Sequence, residues 1–518
     1  MTEPPLAAVR SPPPSPGQID AEKRRTFRGP HGLGGPLPSN VAWEATQQDG
    51  EAASPRRVLR KPTRTLSGVA VVAVMTAPSP CPHGRCTYCP GGVELGSPQS
   101  YTGEEPSALR GAQFGFDPWS IVTHRLESLE SIGHSTSKVE AIVMGGTFPS
   151  RPRRYQESVF RGIYDGLNGV RSTTLSEAQE RNETAGRRLV GLTVETRPDW
   201  CDGRVLPDLL DAGVTRVELG VECLDEAVLT AVGRAHGADD VVHATREARD
   251  RGLKIGYHLM LGLPGMDPEK DEAGFRRLFE EPEYRPDFLK IYPTLVLPST
   301  PLYDQWRRGE YKPYDTETAV ELLARLKSHI PPWVRVHRIQ RDIPVRLIAD
   351  GVRASNIRQL ALARLESKGG RCRCLRCREV GRRAAPPLSE FVPQEVEYAA
   401  GGGVERFLSL EEPVTEAVAG YLRLRFPSDR TSGGLEAPVI RELKVLGTEV
   451  PIGHSAAATA DYQHRGIGRA LVARAEEAAR SSGASRIYVR SAVGTREYYR
   501  RLGYTSSGPQ MAKPLCAG

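Results

Sequence analysis

The stretch Val69-Ala-Val-Val-Ala-Val-Met75-Thr-Ala-Pro-Ser-Pro-Cys81-Pro-His-Gly-Arg-Cys86-Thr-Tyr-Cys89 decides the fold. Residues 69–75 are continuously apolar and rich in valine, the pattern of a strand buried on both faces in a parallel sheet. Cys81, Cys86 and Cys89 follow on a loop at CX4CX2C spacing. Downstream, Asp117-Pro118 reads as an N-cap with proline in the first turn of a helix reaching Ile132. Strands are expected at Val139–Met144, Leu189–Glu195, Arg216–Val221, Lys254–Leu261, Phe288–Tyr292 and Val334–Ile339. Amphipathic helices such as Ala238–Arg251 and Thr316–His329 separate them. Such alternation implies right-handed crossovers and a parallel sheet, here an α/β fold with a full or partial β/α barrel over residues 61–339. Functional loops in that fold lie at the C-terminal strand ends, and the cysteine loop follows the first strand.

Three thiolates hold three irons of a 4Fe–4S cluster and leave the fourth iron open. The loop resembles that of radical S-adenosylmethionine (SAM) enzymes, in which SAM takes the open position and is cleaved to a 5′-deoxyadenosyl radical. The competing reading is a structural zinc site with His83 as stand-in fourth ligand. Other strand ends suit SAM: Gly145 and Gly146 admit close backbone approach, and Glu195 and Arg197 are placed for ribose and carboxylate. Glu222 ends the fourth strand, and Gly262-Leu-Pro-Gly265 ends the fifth, where adenine is expected. Singly these are common strand-end features; their joint placement carries the reading.

A second constellation lies near the C-terminus. Gln463-His-Arg-Gly466-Ile467-Gly468 fits the Q/R-x-x-G-x-G/A turn of GNAT acetyltransferases. Its backbone N–H groups at a helix start suit a pyrophosphate, and glycine permits close approach. A strand (Val439–Leu446) precedes it. A helix (Gly466–Ser481), a strand (Arg486–Ser491) and Gly494-Thr-Arg-Glu-Tyr498-Tyr499-Arg-Arg-Leu-Gly503-Tyr504 follow. One of the two tyrosines is expected at the coenzyme sulfur; the bland alternative makes them core residues. Residues 386–518 read as this domain, with further strands at Glu395–Tyr398 and Ala419–Phe426.

Between the two lies a basic linker, residues 340–385. Over 335–383 there are 14 Lys+Arg and 4 Asp+Glu, a net of +10, against +7 for all 518 residues. It includes an expected helix, Asn356–Ser367, and Cys372, Cys374 and Cys377 at CXCX2C spacing, which suits structural zinc with an unidentified fourth ligand. Unligated surface thiols are the alternative. Arginines beside a rigid metal turn suit phosphate contacts, so Arg353, Arg358 and Arg376 are expected to bind RNA.

Six of the nine cysteines fall in these two clusters, which in a reducing compartment favours metal sites over disulfides. The longest apolar run, Val69–Ala77, is far short of the roughly 20 residues of a membrane span. No signal peptide is expected, because Pro and Arg interrupt the N-terminus; residues 1–60 read as a disordered Pro/Arg-rich tail, and the chain as cytoplasmic.

The strings TLSGVAVVAVMTAPSPCPHGRCTYCPGG, QSYTGEEPSALR, KVEAIVMGGTF, VETRPDWC, LKIYPTL, RIQRDIP, RELKVLG, QHRGIG and GTREYYRRLGY together resemble the Elongator catalytic-subunit family in its stand-alone archaeal and bacterial type. The resemblance covers about Arg60 to Leu515. It implies a tRNA uridine carboxymethyl synthase in which Cys81, Cys86 and Cys89 hold the cluster. Acetyl-CoA is implied at Ile467, Gly468 and Arg469, along Glu442-Leu443-Lys444-Val445, and near Tyr498 and Tyr499, with Lys138 contacting it from the barrel side. The radical would take a methyl hydrogen from the acetyl group, and the carbon radical would add to carbon 5 of the wobble uridine; hydrolysis leaves 5-carboxymethyluridine. The implied partners are a tRNA anticodon stem-loop and an electron-donor protein, with a monomer or homodimer working without other Elongator-type subunits. Lys444 and Leu446 depart from the ELHVYG of many relatives. Competing functions are a protein lysine acetyltransferase with a non-catalytic barrel and a non-catalytic tRNA-binding protein; loss or survival of activity on Cys86→Ala separates them.

Overall fold

In a computed structural model, residues 64–382, 386–428, 433–454 and 461–515 are described. The tail read over 1–60 lies outside them. Seven parallel strands form the first sheet: β1 (Ala70–Met75), β2 (Lys138–Met144), β3 (Arg188–Thr196), β4 (Arg216–Glu222), β5 (Lys254–Leu261), β6 (Phe288–Pro293) and β7 (Arg335–Ile339). They pair in sequence order, and β1 and β7 are the two edges, so the barrel is partial. Side chains of β2 alternate between fully buried Val139, Ala141 and Val143 and partly buried Lys138, Glu140, Ile142 and Met144. The first set packs under the helices, and the second lines the concave face. Helix starts carry the expected caps: the Asp117 carboxylate accepts from Ser120 N at 2.9 Å, and the Asp315 carboxylate from Thr318 N at 2.8 Å.

The second sheet is mixed, in the order β13-β14-β12-β11-β10-β9-β8. Its strands are β8 (Val392–Ala400), β9 (Gly403–Glu411), β10 (Val418–Phe426), β11 (Val439–Val445), β12 (Arg486–Val489), β13 (Thr505–Ser507) and β14 (Gln510–Pro514). Only β11 and β12 run parallel, and they pair at just two positions, Val439 with Tyr488 and Ile440 with Val489. Beyond Ile440 the two strands diverge. The helix Ile467–Ser481 packs its buried Ile467, Leu471, Val472 and Ala475 against this sheet.

The second sheet abuts the N-terminal ends of the first. Fully buried Arg249, Arg423, Arg425 and Arg441 interleave with Asp250, Asp287, Glu405 and Glu442. Arg425 Nε donates to Asp250 at 2.7 Å, and Arg423 Nε to Glu442 at 2.9 Å. Trp333 stacks on Tyr398 with ring centroids 4.2 Å apart. Charges this deep persist because each finds an opposite partner and carbonyl acceptors.

The +10 segment is docked on this framework. Arg364 pairs with Glu317 and Glu321, Arg373 with Glu416 and Arg378 with Glu411, at 2.7–3.1 Å. The helix Ile357–Ser367 thereby lies on the helix Thr316–Ser328. Much of the excess charge is thus neutralised by carboxylates from elements outside the segment.

Candidate active site

The cysteine loop sits at the C-terminal ends of β1 to β4, with Cys86 and Cys89 buried and Cys81 partly so. Donors converge on the three sulfurs. Thr147 Oγ1 approaches Cys81 Sγ at 3.7 Å, Gln99 Nε2 approaches Cys89 Sγ at 3.4 Å, and His83 Nε2 lies 3.2 Å from Cys86 Sγ. Burial, followed by the charges of Arg197 and Arg234, pushes His83 down to about 4, so it is a neutral imidazole at pH 7. Burial also drives the Cys86 thiol up to about 11, a cost that metal coordination of the thiolate would remove.

A cavity of about 450 Å³ opens from this loop into the concave face of the sheet. Gly146 borders it with φ of 83°, and Gly145 beside it, φ 127°, packs against Thr76. A Cβ on Gly146 would lie 3.4 Å from Cys81 Sγ, so the backbone closes directly on the cysteine loop. Glu195 accepts from Lys290 at 2.7 Å and from Tyr101 Oη at 3.2 Å. Arg197 is clasped by Asp199, and its buried Nη1 has no hydrogen-bond partner among the described residues. Glu222 holds φ of 67° at an irregularity in β4 and faces Arg234 at 3.5 Å. Gly146, Glu195, Arg197 and Glu222 line this cavity together with the three cysteines.

Sequence reasoning passed over the floor of this cavity. Lys290 bridges Glu195 and Glu218, and Glu218 also accepts from His258 Nε2 at 3.0 Å. Burial opposes the ammonium charge, yet the two carboxylates hold Lys290 above its ordinary value. Glu195, Glu218 and His258 have ligand atoms within 4.8 Å of one another, but the ammonium already supplies the cation there. The period-2 pattern of β4 and β5 was the available signal, since Arg216 and Glu218, and Lys254 and His258, recur on one face of their strands.

At the other end of the sheet, the divergence of β11 from β12 leaves one edge of Glu442–Val445 without a strand partner among the described residues. The helix Ile467–Ser481 begins beside it. Gly466 takes φ of 84°, a left-handed turn that exposes the N–H groups of Ile467, Gly468 and Arg469. A Cβ on Gly468 would stand 2.7 Å from Tyr498 Oη. Tyr498 is half-exposed at this turn, whereas Tyr499 is buried against Tyr504 in the core. The side chains of Glu442 and Lys444 point into the interface instead: Lys444 Nζ meets Glu140 of β2 at 2.9 Å.

Gln463 serves a purpose the sequence did not suggest. Its Oε1 accepts from Lys138 Nζ at 2.7 Å and Val450 N at 3.1 Å, and its Nε2 donates to Val445 O at 3.1 Å. Lys138 also donates to Val450 O at 2.7 Å. Burial lowers Lys138 to about 8. Lys138 and Gln463 together tie the loop before the helix to the start of β2.

Cys372, Cys374 and Cys377 have sulfurs within 4.8 Å of one another, the spacing a single tetrahedral ion requires. Cys81, Cys86 and Cys89 form no such tight trio, which suits a larger cluster. Both donor sets fit the groups expected at them. Arg353 donates to Ile348 O and Ala349 O, and Arg358 to Val336 O. Burial and the neighbouring Arg358, Arg335 and Arg382 lower Arg376 to about 9. These three residues are spread along the segment and do not meet at the cavity.

Three family models match the chain: the Radical SAM superfamily over residues 78–275, a Radical SAM C-terminal domain over 286–367, and the acetyltransferase (GNAT) family over 388–504. A tRNA uridine(34) acetyltransferase of Methanocaldococcus jannaschii is 45% identical over 512 residues, covering 96% of this chain and 93% of the relative. Elongator complex protein 3 of Homo sapiens is 44% identical over 474 residues, covering 88% and 86%. The solved structure of archaeal Methanocaldococcus infernus Elp3 with an N-terminal deletion matches with a TM-score of 0.77 at 40% identity, covering 87% of this chain and all of that one. With cysteine loop, concave cavity and splayed acetyltransferase edge all in place, the chain belongs to the tRNA uridine(34) acetyltransferase and Elongator complex protein 3 family.

Proposed function

We propose that this chain is an acyltransferase that places an acetyl-derived carboxymethyl group on carbon 5 of the wobble uridine of tRNA. One observation carries the reading: the splayed edge of β11 meets the first sheet at one end, and the cysteine loop closes the same sheet at the other. Cys81, Cys86 and Cys89 would hold a 4Fe–4S cluster, which with SAM supplies radical hydrogen-abstraction chemistry. Gly145 and Gly146 let SAM approach the backbone, and Glu195, Arg197 and Glu222 offer it polar partners. The N–H groups of Ile467, Gly468 and Arg469 bind the pyrophosphate of acetyl-CoA. Glu442–Val445 offers its free edge to the amides of the pantetheine arm. Lys138 orients the loop through Gln463, and Tyr498 borders the pyrophosphate turn.

The cluster Cys372–Cys377 would hold zinc, and Arg353, Arg358 and Arg376 would take phosphates of an anticodon stem-loop. A bulky polyanion suits an open sheet, and a looped-out base suits a cavity. Among the described residues no helix is long and apolar enough to cross a membrane. We expect a cytoplasmic monomer or homodimer, served by an electron-donor protein and independent of other Elongator-type subunits.

The test is anaerobic incubation of reconstituted protein with SAM, acetyl-CoA, reductant and tRNA, followed by nucleoside mass spectrometry. Carboxymethyluridine from the parent protein and none from Cys86→Ala is the expected result. Protein acetylation that survives Cys86→Ala, with no modified nucleoside, would instead mark a lysine acetyltransferase.

A further inference from the structure

The segment Val232–His236 forms a second wall behind the cysteine loop. Thr87 N donates to Val232 O at 3.0 Å, and Arg197 Nη2 reaches Ala235 O at 3.3 Å. Between them lies Arg234. Its guanidinium is buried, with Nη1 3.9 Å from Cys86 Sγ and Nη2 donating to Gly220 O. Its Nε has no hydrogen-bond partner among the described residues. The nearest carboxylate is Glu222, at 3.5 Å and held at a left-handed φ. Arg197, another buried cation of the cavity, differs: Asp199 grips it through both Nε and Nη2.

We propose that Arg234 is a positioning residue that sets the reduction potential of the cluster, with Glu222 as its counterweight. The inference rests on the reading of Cys81, Cys86 and Cys89 as cluster ligands. Reduction adds one negative charge to a cluster. A buried cation a few ångströms from a ligand sulfur favours that state, because a low-dielectric site screens it little. A buried anion beside the cation opposes it. Arg234 therefore pulls the potential up and Glu222 trims it, so the pair sets how readily an external donor reduces the cluster. Nothing in the cysteine motif encodes this, since Arg234 lies 148 residues beyond Cys86.

The experiment is EPR-monitored redox titration of anaerobically reconstituted protein without SAM, after iron and sulfide analysis. Arg234→Gln should move the midpoint to more negative values, by at least a tenfold change in the oxidised-to-reduced ratio at fixed potential, or about 59 mV for one electron. Arg234→Lys keeps the charge and should stay within threefold of the parent. Glu222→Gln should move the midpoint the opposite way. A loaded Arg234→Gln variant with an unchanged midpoint overturns the inference, even if its SAM affinity falls, and so does a Glu222→Gln shift of the same sign. A parent protein that takes up no 4Fe–4S cluster overturns the underlying reading as well.

Discussion

Arg441 grips Asp287 with both arms of its guanidinium, Nη1 to Oδ2 and Nη2 to Oδ1, each at 2.8 Å. Both residues are fully buried; Arg441 lies on β11 and Asp287 immediately precedes β6. Burial works against the Asp287 charge, but Arg441, Arg249 and Arg423 hold the carboxylate below its ordinary range.

Removing that carboxylate takes one buried partner from each of three arginines, leaving Arg249 and Arg441 to share Glu405 and Arg423 to rely on Glu442. Asp287→Asn should destabilise the protein by about 3–5 kcal/mol, the usual cost of breaking a buried pair from one side. Both sheets should melt in one transition at lower denaturant, followed by circular dichroism. A loss under about 1 kcal/mol would show that the arginines find other partners. Because Asp287 is held low, its contribution is present above the ordinary carboxylate range and is lost as pH falls.

Lys444 reaches across to Glu140 of β2 at 2.9 Å. A double-mutant cycle of Lys444→Met with Glu140→Gln should give a coupling of about 1–3 kcal/mol, because the pair is mostly buried. Lys444→His should retain acetyl-CoA binding, measured by calorimetry, since strand β11 offers its backbone rather than this side chain. A tenfold loss of affinity would contradict that division of labour.

Burial lowers Lys138, so the folded state binds its proton less tightly than the unfolded chain does. The sign follows from linkage: between about pH 8 and the ordinary lysine value, the unfolded state holds more protons. Stability relative to Lys138→Met should therefore rise with pH in that window, by at most about 1.4 kcal/mol per unit. Denaturant midpoints at pH 7.5, 8.5 and 9.5 check this; a flat difference would place the proton elsewhere.

The two cysteine trios should load independently. Cys86→Ala should lose the iron and keep one zinc per chain, and Cys374→Ala the reverse, by elemental analysis. Coupled loss of both metals from Cys86→Ala would tie the sites together.

Arginines already paired with carboxylates release few counterions on meeting RNA. Replacing Arg353, Arg358 and Arg376 should each lower the slope of log affinity against log salt by about 0.7–0.9. Arg364→Gln and Arg373→Gln should leave it nearly unchanged. Equal effects from both groups would show that the internal pairs open on binding.

The seven strands of the first sheet were legible to within two residues at each end, because their helix-facing positions, such as Val139, Ala141 and Val143, are apolar and recur at period 2. The alternation of Gly403–Glu411 after Gly401-Gly402 was passed over. Those two glycines take φ of 52° and 80°, the turn of a two-residue hairpin, and signalled strand β9 directly. The short β13 and β14 carried too little pattern to stand out. At the site, the cysteines and the glycine turn were legible because spacing alone defines them. Gln99, Glu218, Lys290 and Arg234 were not, since each gains meaning from a partner far away in the chain. The basic segment misled in a different way. Its charge count was right, but Glu317, Glu321, Glu411 and Glu416, which cancel much of it, lie outside the segment.

Gly494 touches strand β3 so closely that a Cβ there would stand 2.6 Å from Arg188 Cβ and 2.8 Å from the Leu189 backbone. The segment that carries Tyr498 and Tyr499 is thus seated on the first sheet with no room for a methyl group. The two halves match separate family models, but modularity stops at this contact. A chimera that takes its acetyltransferase half from a relative should work only where the incoming segment keeps glycine here, so the two halves are free to diverge everywhere except where they touch.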